Sequence, residues 1–321
     1  MKIAIWAAPA CLVLIAAVGC APSGAYPRGD LLLEPAELAK PAAMKQLVIL
    51  DARSRDEYDK EHIPGAIPVD FDVWKSAFGQ GTDAEGWGKR IAETGIGGQS
   101  KVVIYDAKDS VDAARIWWIL RYWGLRDARL LNGGWQAWTA AKLPTATEAT
   151  AVKPAASFQA TPAPARMATK QQMLDLLKEQ PWQIVDARSN DEYCGIDKKN
   201  NKRGGAMPGA KHLDWVDLID KSTHRFKPAP ELHKLFSQAG IALDRPTASY
   251  CQSGGRASVM AFALELMGAK DVRNYYQSWQ EWSAADDTPI LTPDTPAGKD
   301  APAAKDKPAE KDKTPPAEKK A

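Results

Sequence analysis

Cys251 stands in the run YCQSGGRAS, directly ahead of two glycines and an arginine. A thiol is a weak nucleophile near neutral pH and its thiolate a strong one. What the residues after Cys251 do to its sulfur therefore decides which chemistry is open to it. Gly254 and Gly255 allow a tight curl, because residues without a Cβ enter the left-handed region freely. The backbone N–H groups of Gln252, Ser253, Gly254, Gly255 and Arg256 can then converge on one point as a nest for an anion. A helix expected to begin near Arg256 adds the positive end of its dipole, and the Arg256 side chain adds a full charge. Such a loop favours the thiolate and receives an anionic substrate, which suits group transfer through a covalent cysteine adduct. The plainer alternative is an unreactive cysteine that closes a strand before a glycine-rich turn.

The elements around the loop repeat. VILDARSRDEY, ending at Tyr58, is answered by QIVDARSNDEY, ending at Tyr193. HIPGAIPVD from His62 is answered by AMPGAKHLD from Ala206, and NGGWQAW from Asn132 by YQSWQEW from Tyr276. The second copy is longer by a polar insertion within GIDKKNNKRGG. A repeat of this length means two duplicated domains rather than a solenoid. Within each copy, short β-branched runs such as LVILDA and KVVIYD read as buried parallel strands. VDAARIWWILRYWG and RASVMAFALELMG read as helices stopped by Gly124 and Gly268. The expected fold class is α/β, two domains that are each a mainly parallel sheet with helices on both faces.

These motifs, in this order and twice over, resemble the rhodanese domain in its tandem form, over roughly residues 30–292. The resemblance implies a sulfurtransferase that carries sulfane sulfur as a persulfide on Cys251, with the backbone of Gln252–Arg256 holding the terminal sulfur. It implies thiosulfate as donor and cyanide or a thiol as acceptor; the related branch that uses 3-mercaptopyruvate is the substrate alternative. That branch places an arginine where Glu192 stands, a charge wrong for binding a carboxylate. Gln252 and Arg256 themselves depart from the loop residues usual in both branches. Cysteine phosphatases cradle an anion in a similar way, but with five residues between Cys and Arg, whereas four separate Cys251 from Arg256. The position in the first copy that matches Cys251 is Asp106, which cannot form a persulfide, so that copy is expected to be catalytically silent. A non-catalytic binding module at the cell envelope is the alternative of another class.

Arg188, at the end of the second DAR motif, is a candidate substrate-binding residue, because open α/β sheets gather ligands at strand ends. Its structural alternative is an ion pair with an acid such as Glu192, and Arg53 repeats it in the silent copy. Asp51 and Asp186 are expected to cap their loops. Trp135, Trp138, Trp279 and Trp282 are expected in core or interdomain packing. None of the four histidines has metal-ligand spacing: His62 is matched by Met207, and His212, His224 and His233 read as surface or capping residues. Neither a metal nor a cofactor is implied.

The formal net charge of +2 over 321 residues and the lack of a basic stripe give no footing for nucleic acid. The first twenty residues, MKIAIWAAPACLVLIAAVGC, are too short for a membrane span and have the layout of a secretory signal. Ala17-Val18-Gly19-Cys20 resembles a bacterial lipobox, which implies cleavage before Cys20, a lipid on that cysteine and anchoring in the cell envelope facing the periplasm, at the outer membrane in a Gram-negative source. Cys194 and Cys251 would then be the only thiols of the mature chain, in a compartment that favours oxidation, and Cys194 is a candidate partner for Cys251. The expected organisation is a signal peptide at 1–19, a tether at 20–29, the silent domain at 30–146, a linker at 147–166, the catalytic domain at 167–292 and a disordered tail at 293–321.

Overall fold

The computed structural model describes residues 25–79, 83–178 and 182–293. The expected leader and Cys20 lie outside the described residues, as does all of the expected tail beyond Pro293. The first domain has strands β1 (Leu32–Leu33), β2 (Leu47–Asp51), β3 (Ala66–Pro68), β4 (Lys101–Tyr105) and β5 (Ala128–Leu131). They form one sheet in the order β1-β5-β4-β2-β3, with every pairing parallel. The second domain has β6 (Gln183–Asp186), β7 (Lys211–His212), β8 (Thr247–Tyr250) and β9 (Val272–Asn274), in the parallel order β7-β6-β8-β9. The counterpart of β1 shrinks to a single parallel bridge between Met167 and Asn274. Two parallel α/β sheets with helices are therefore the architecture, as the alternating pattern requires.

Both sheets present the ends of their central strands, β4 and β8, to a long helix. These helices run over Val111–Tyr122 and Gly255–Leu266. The residues just past them, Gly124 and Gly268, have φ of +95° and +94°, the left-handed conformation in which glycine ends a helix without a Cβ clash. Each helix is apolar nearly all round, because it packs on its own sheet and on the other domain at once. Trp117 meets Phe262 edge to face across that seam, at 5.0 Å between ring centroids, and one continuous apolar cluster contains both helices. A fully buried side chain of this size contributes about 1.5–3 kcal/mol, so the seam is a substantial part of the core. Trp138 lies in a separate apolar cluster within the first domain, and Trp279 and Trp282 in one within the second.

Two connecting segments are more structured than their composition suggests. Residues 147–166 lie along the first domain: Ala155 and Thr161 donate backbone hydrogen bonds to Ala92 and Trp123, and Phe158 is buried in the main cluster. The expected tether is docked from Tyr26 onward. The Tyr26 hydroxyl donates to the carbonyls of Phe226 and Lys227, and the Arg28 N–H to that of Leu266. The Tyr26 hydroxyl and the Arg28 N–H together hold this stretch on the second domain.

Candidate active site

Cys251 follows β8 directly, and the helix Gly255–Leu266 starts four residues later. The Gly254 N–H donates to the Cys251 sulfur at 3.1 Å. The sulfur thus lies at the N-terminal end of a helix of twelve residues, where the dipole favours an anion. Gly254 has φ of +86°, and an added Cβ would meet the Tyr276 carbonyl at 2.7 Å, so glycine is required there twice over. Gly255 is different from the expectation: it lacks a positive φ and is the first helical residue. A Cβ on it would lie 2.7 Å from a guanidinium nitrogen of Arg115, a residue of the first domain.

The loop is fastened from behind. The Asn274 amide donates to the Gly254 carbonyl at 3.1 Å and to the Ser258 hydroxyl at 3.0 Å. The Ser278 hydroxyl accepts the Cys251 N–H at 3.1 Å, donates to the Tyr275 carbonyl and lies 4.0 Å from the sulfur. Ser278 has φ of +56°, a conformation that costs a residue with a Cβ about 1–3 kcal/mol. Sequence reasoning missed it, although its match in the first copy is Gly134, also at positive φ. A serine where its own repeat uses glycine was the available signal.

The charged residues correct two expectations. Arg256 does not offer a free charge to the loop: it forms a two-point ion pair with Glu192, at 2.5 and 2.8 Å. Burial opposes the charge of Glu192, but Arg256 and then Ser189 hold its carboxyl below the usual glutamate range. Arg188 is not placed to take substrate and does not pair with Glu192. Its side chain is 1% exposed, pairs with Asp186 at 2.6 Å, donates to the Gly205 carbonyl and lies 4.2 Å over the Trp279 ring. Arg53 repeats this with Asp51 and Trp135, so the DAR motif is a buried brace between strand, loop and tryptophan. The Gln252 side chain exchanges hydrogen bonds with Asn201 of the polar insertion, both at 2.9 Å. Ser253 is half-buried beside the loop mouth.

Cys194 and Cys251 are both free, and both are buried. The Cys194 thiol is directed at the Asn190 side-chain oxygen, 3.8 Å away. Burial, then Asp191, push its pKa up, which makes it a poor attacker of a persulfide. Among the histidines, His62 is buried with its ring nitrogens on the Tyr58 and Glu148 carbonyls, and His212 lies on the Arg188 carbonyl. His224 pairs with Asp109 of the first domain at 2.7 Å.

In the first copy Asp106 follows β4 as Cys251 follows β8. The Trp135 N–H donates to the Asp106 carbonyl as the Trp279 N–H does to that of Cys251, at 2.8 and 2.9 Å. The Asp106 carboxylate fills its own loop. One oxygen accepts the N–H groups of Lys108 and Ser110, the other those of Asp112 and Ala113, all within 2.8–3.1 Å. The nest has thus kept its shape and is filled by its own side chain. Burial pushes this carboxyl up to about 6 against the pull of the N–H donors.

The surface beside Ser253 of the Cys251 loop is shared between the domains. A cavity of about 410 Å³ is lined by Ser253, Tyr276 and Gln277 of the second domain and by Asp72, Lys75 and Arg115 of the first. A larger one of about 750 Å³ on the first domain shares Asp72, Lys75 and Arg115 with it.

A family model described as a rhodanese-like domain matches residues 34–141 and again 169–285. The sulfur carrier protein TtuD of Thermus thermophilus is 32% identical over 246 residues, 73% of this chain and 86% of its own length. Thiosulfate sulfurtransferases of Mus musculus and Corynebacterium glutamicum are 30% and 33% identical, over 72% and 73% of this chain and 80% and 81% of theirs. Among solved structures, EanB carrying a cysteine persulfide, with ergothioneine, aligns with a TM-score of 0.76 at 25% identity, covering 83% of this chain and 71% of that one.

Proposed function

We propose, from the premise that this chain belongs to the rhodanese family of sulfurtransferases and carries its domain twice, that it moves sulfane sulfur from thiosulfate through a persulfide on Cys251. The observation that carries this reading is the Cys251 sulfur held by the Gly254 N–H at a helix N-terminus, where the other copy has an aspartate. The Cys251 thiolate attacks the outer sulfur of thiosulfate. A new sulfur–sulfur bond forms as that of the donor breaks, and sulfite leaves with the electron pair. Cyanide or a thiolate then attacks the terminal sulfur, the persulfide bond breaks, and the Cys251 thiolate returns. The Gly254 N–H and the helix dipole stabilise anionic sulfur through the cycle. The first domain takes no part as a nucleophile.

Thiosulfate is preferred over 3-mercaptopyruvate because Glu192, at the position of the carboxylate-binding arginine in that branch, is 2% exposed and paired with Arg256. A purely binding role is disfavoured because the second copy keeps the whole cysteine loop. On mixing purified protein with thiosulfate, the mass is expected to rise by one sulfur atom on the Cys251 peptide and to fall back on adding cyanide. An unchanged mass rejects thiosulfate as donor.

We further propose that Cys20 carries a lipid and tethers the enzyme to the cell envelope, the lipobox-like run before it being the support. Cys20→Ala is then expected to move the protein from the detergent phase to the aqueous phase. Equal partitioning of variant and wild type would exclude the anchor.

A further inference from the structure

We propose that Arg115, from the catalytically silent domain, binds the anionic sulfonate end of the sulfur donor above the Cys251 loop. This deepens the thiosulfate reading and rests on it. With Arg256 neutralised by Glu192 and Arg188 by Asp186, the expected cations of the second domain are already committed. Arg115 is 5% exposed, and among the described residues no carboxylate pairs with it. Asp112, its neighbour one turn back, is taken by Lys108 at 2.8 Å.

Among the described residues the guanidinium makes one hydrogen bond, to the Tyr276 hydroxyl at 2.8 Å, and it lies 5.1 Å from the centre of that ring. Its Nε is buried and has no partner among the described residues. The group lies against Gly255, the first residue of the helix that follows Cys251, and glycine there is what admits it. It also lines the cavity that Ser253 and Tyr276 line from the other side. A buried cation without a counter-ion, at a helix N-terminus and at the edge of a cavity, is costly unless an anion completes it. A sulfonate presents three acceptor oxygens to a planar fork of donors. Held by Arg115, it would leave the outer sulfur free to reach Cys251, and the same contact would follow the departing sulfite. On this reading the silent domain persists because it carries a substrate-binding residue.

The test uses Arg115→Gln, Arg115→Lys and Gly255→Ala in the full chain. Arg115→Gln is expected to raise KM for thiosulfate by roughly ten- to a hundredfold, the effect of losing a charge-assisted contact. Its kcat at saturating donor should stay within about threefold, and Arg115→Lys should recover part of the loss. Gly255→Ala, which displaces the guanidinium without altering it, should raise KM in the same direction and serves if Arg115→Gln does not fold. An unchanged KM in the folded variants overturns the proposal. So does calorimetry on Cys251→Ser if thiosulfate and sulfite bind equally well with and without Arg115→Gln. That second arm needs no turnover: wild type that gains no sulfur from thiosulfate rejects the donor reading, while loss of sulfite binding on Arg115→Gln still supports the anion contact.

Discussion

Replacing Cys251 with serine is expected to reduce sulfur transfer from thiosulfate to cyanide to background, a loss on the order of a thousandfold or more. A hydroxyl at this position is far less ionised and forms no persulfide, so neither half of the cycle can run. The fold should survive. The residue is 1% exposed, oxygen is slightly smaller than sulfur, and the Gly254 N–H that reaches the sulfur at 3.1 Å finds an oxygen acceptor instead. The thermal midpoint is therefore expected within a few degrees of wild type, a change of about 1 kcal/mol or less. Activity near wild type in Cys251→Ser would remove this residue from the mechanism. A melting transition shifted far down would instead assign Cys251 a structural role.

The second large effect is expected far from the nucleophile. Asp106→Ala should destabilise the protein by about 3–6 kcal/mol, because four backbone N–H groups lose their acceptor inside a buried loop, and each stranded donor costs about 1–3 kcal/mol before water or relaxation recovers part of it. Asp106→Asn keeps one acceptor oxygen for two of the donors and turns the other oxygen into a donor, so a loss of about 2–4 kcal/mol is expected. The pH dependence carries a further sign. Burial raises the Asp106 carboxyl to about 6, above its unfolded value of about 3.9. Its protonated form thus adds stability that is complete below the unfolded value and is lost as pH rises through about 6. Asp106→Asn should remove that falling slope between about pH 4 and 6. Denaturant titration across this range measures both effects. Equal stability of Asp106→Ala and wild type would show that the loop does not need its internal anion.

Asp106 also explains how a cysteine loop can lose its chemistry without losing its shape. The Asp106 side chain fills its own nest, whereas the Cys251 loop keeps the sulfur that the proposed cycle loads and unloads. Arg115 lies on the helix that begins beside the Asp106 loop. Damage to the first domain is therefore expected to reach catalysis in the second through KM.

Much of this was legible from residue order. The duplication follows from the paired motifs around Asp51 and Asp186. The parallel sheets follow from β-branched runs that alternate with helical ones. Cys251 stands out because Gly254, whose positive φ the turn requires, follows it within three residues, and because its repeat partner cannot do the same chemistry. All of these are local facts, in which hydrophobic period and turn chemistry act over a few residues.

The partners of the charges were decided only by the tertiary structure. Arg256 and Glu192 are 64 residues apart in the chain, and Arg115 and Tyr276 are 161 apart. No spacing rule connects residues at such separations. Buried charges pair with whatever opposite charge the packing brings within reach, since leaving one uncompensated costs several kcal/mol. The packing of one long helix of each domain on the other decided where Arg115 ends. Within the second domain Arg256 met Glu192, and Arg115 of the first copy came to lie against Gly255 with no carboxylate partner among the described residues.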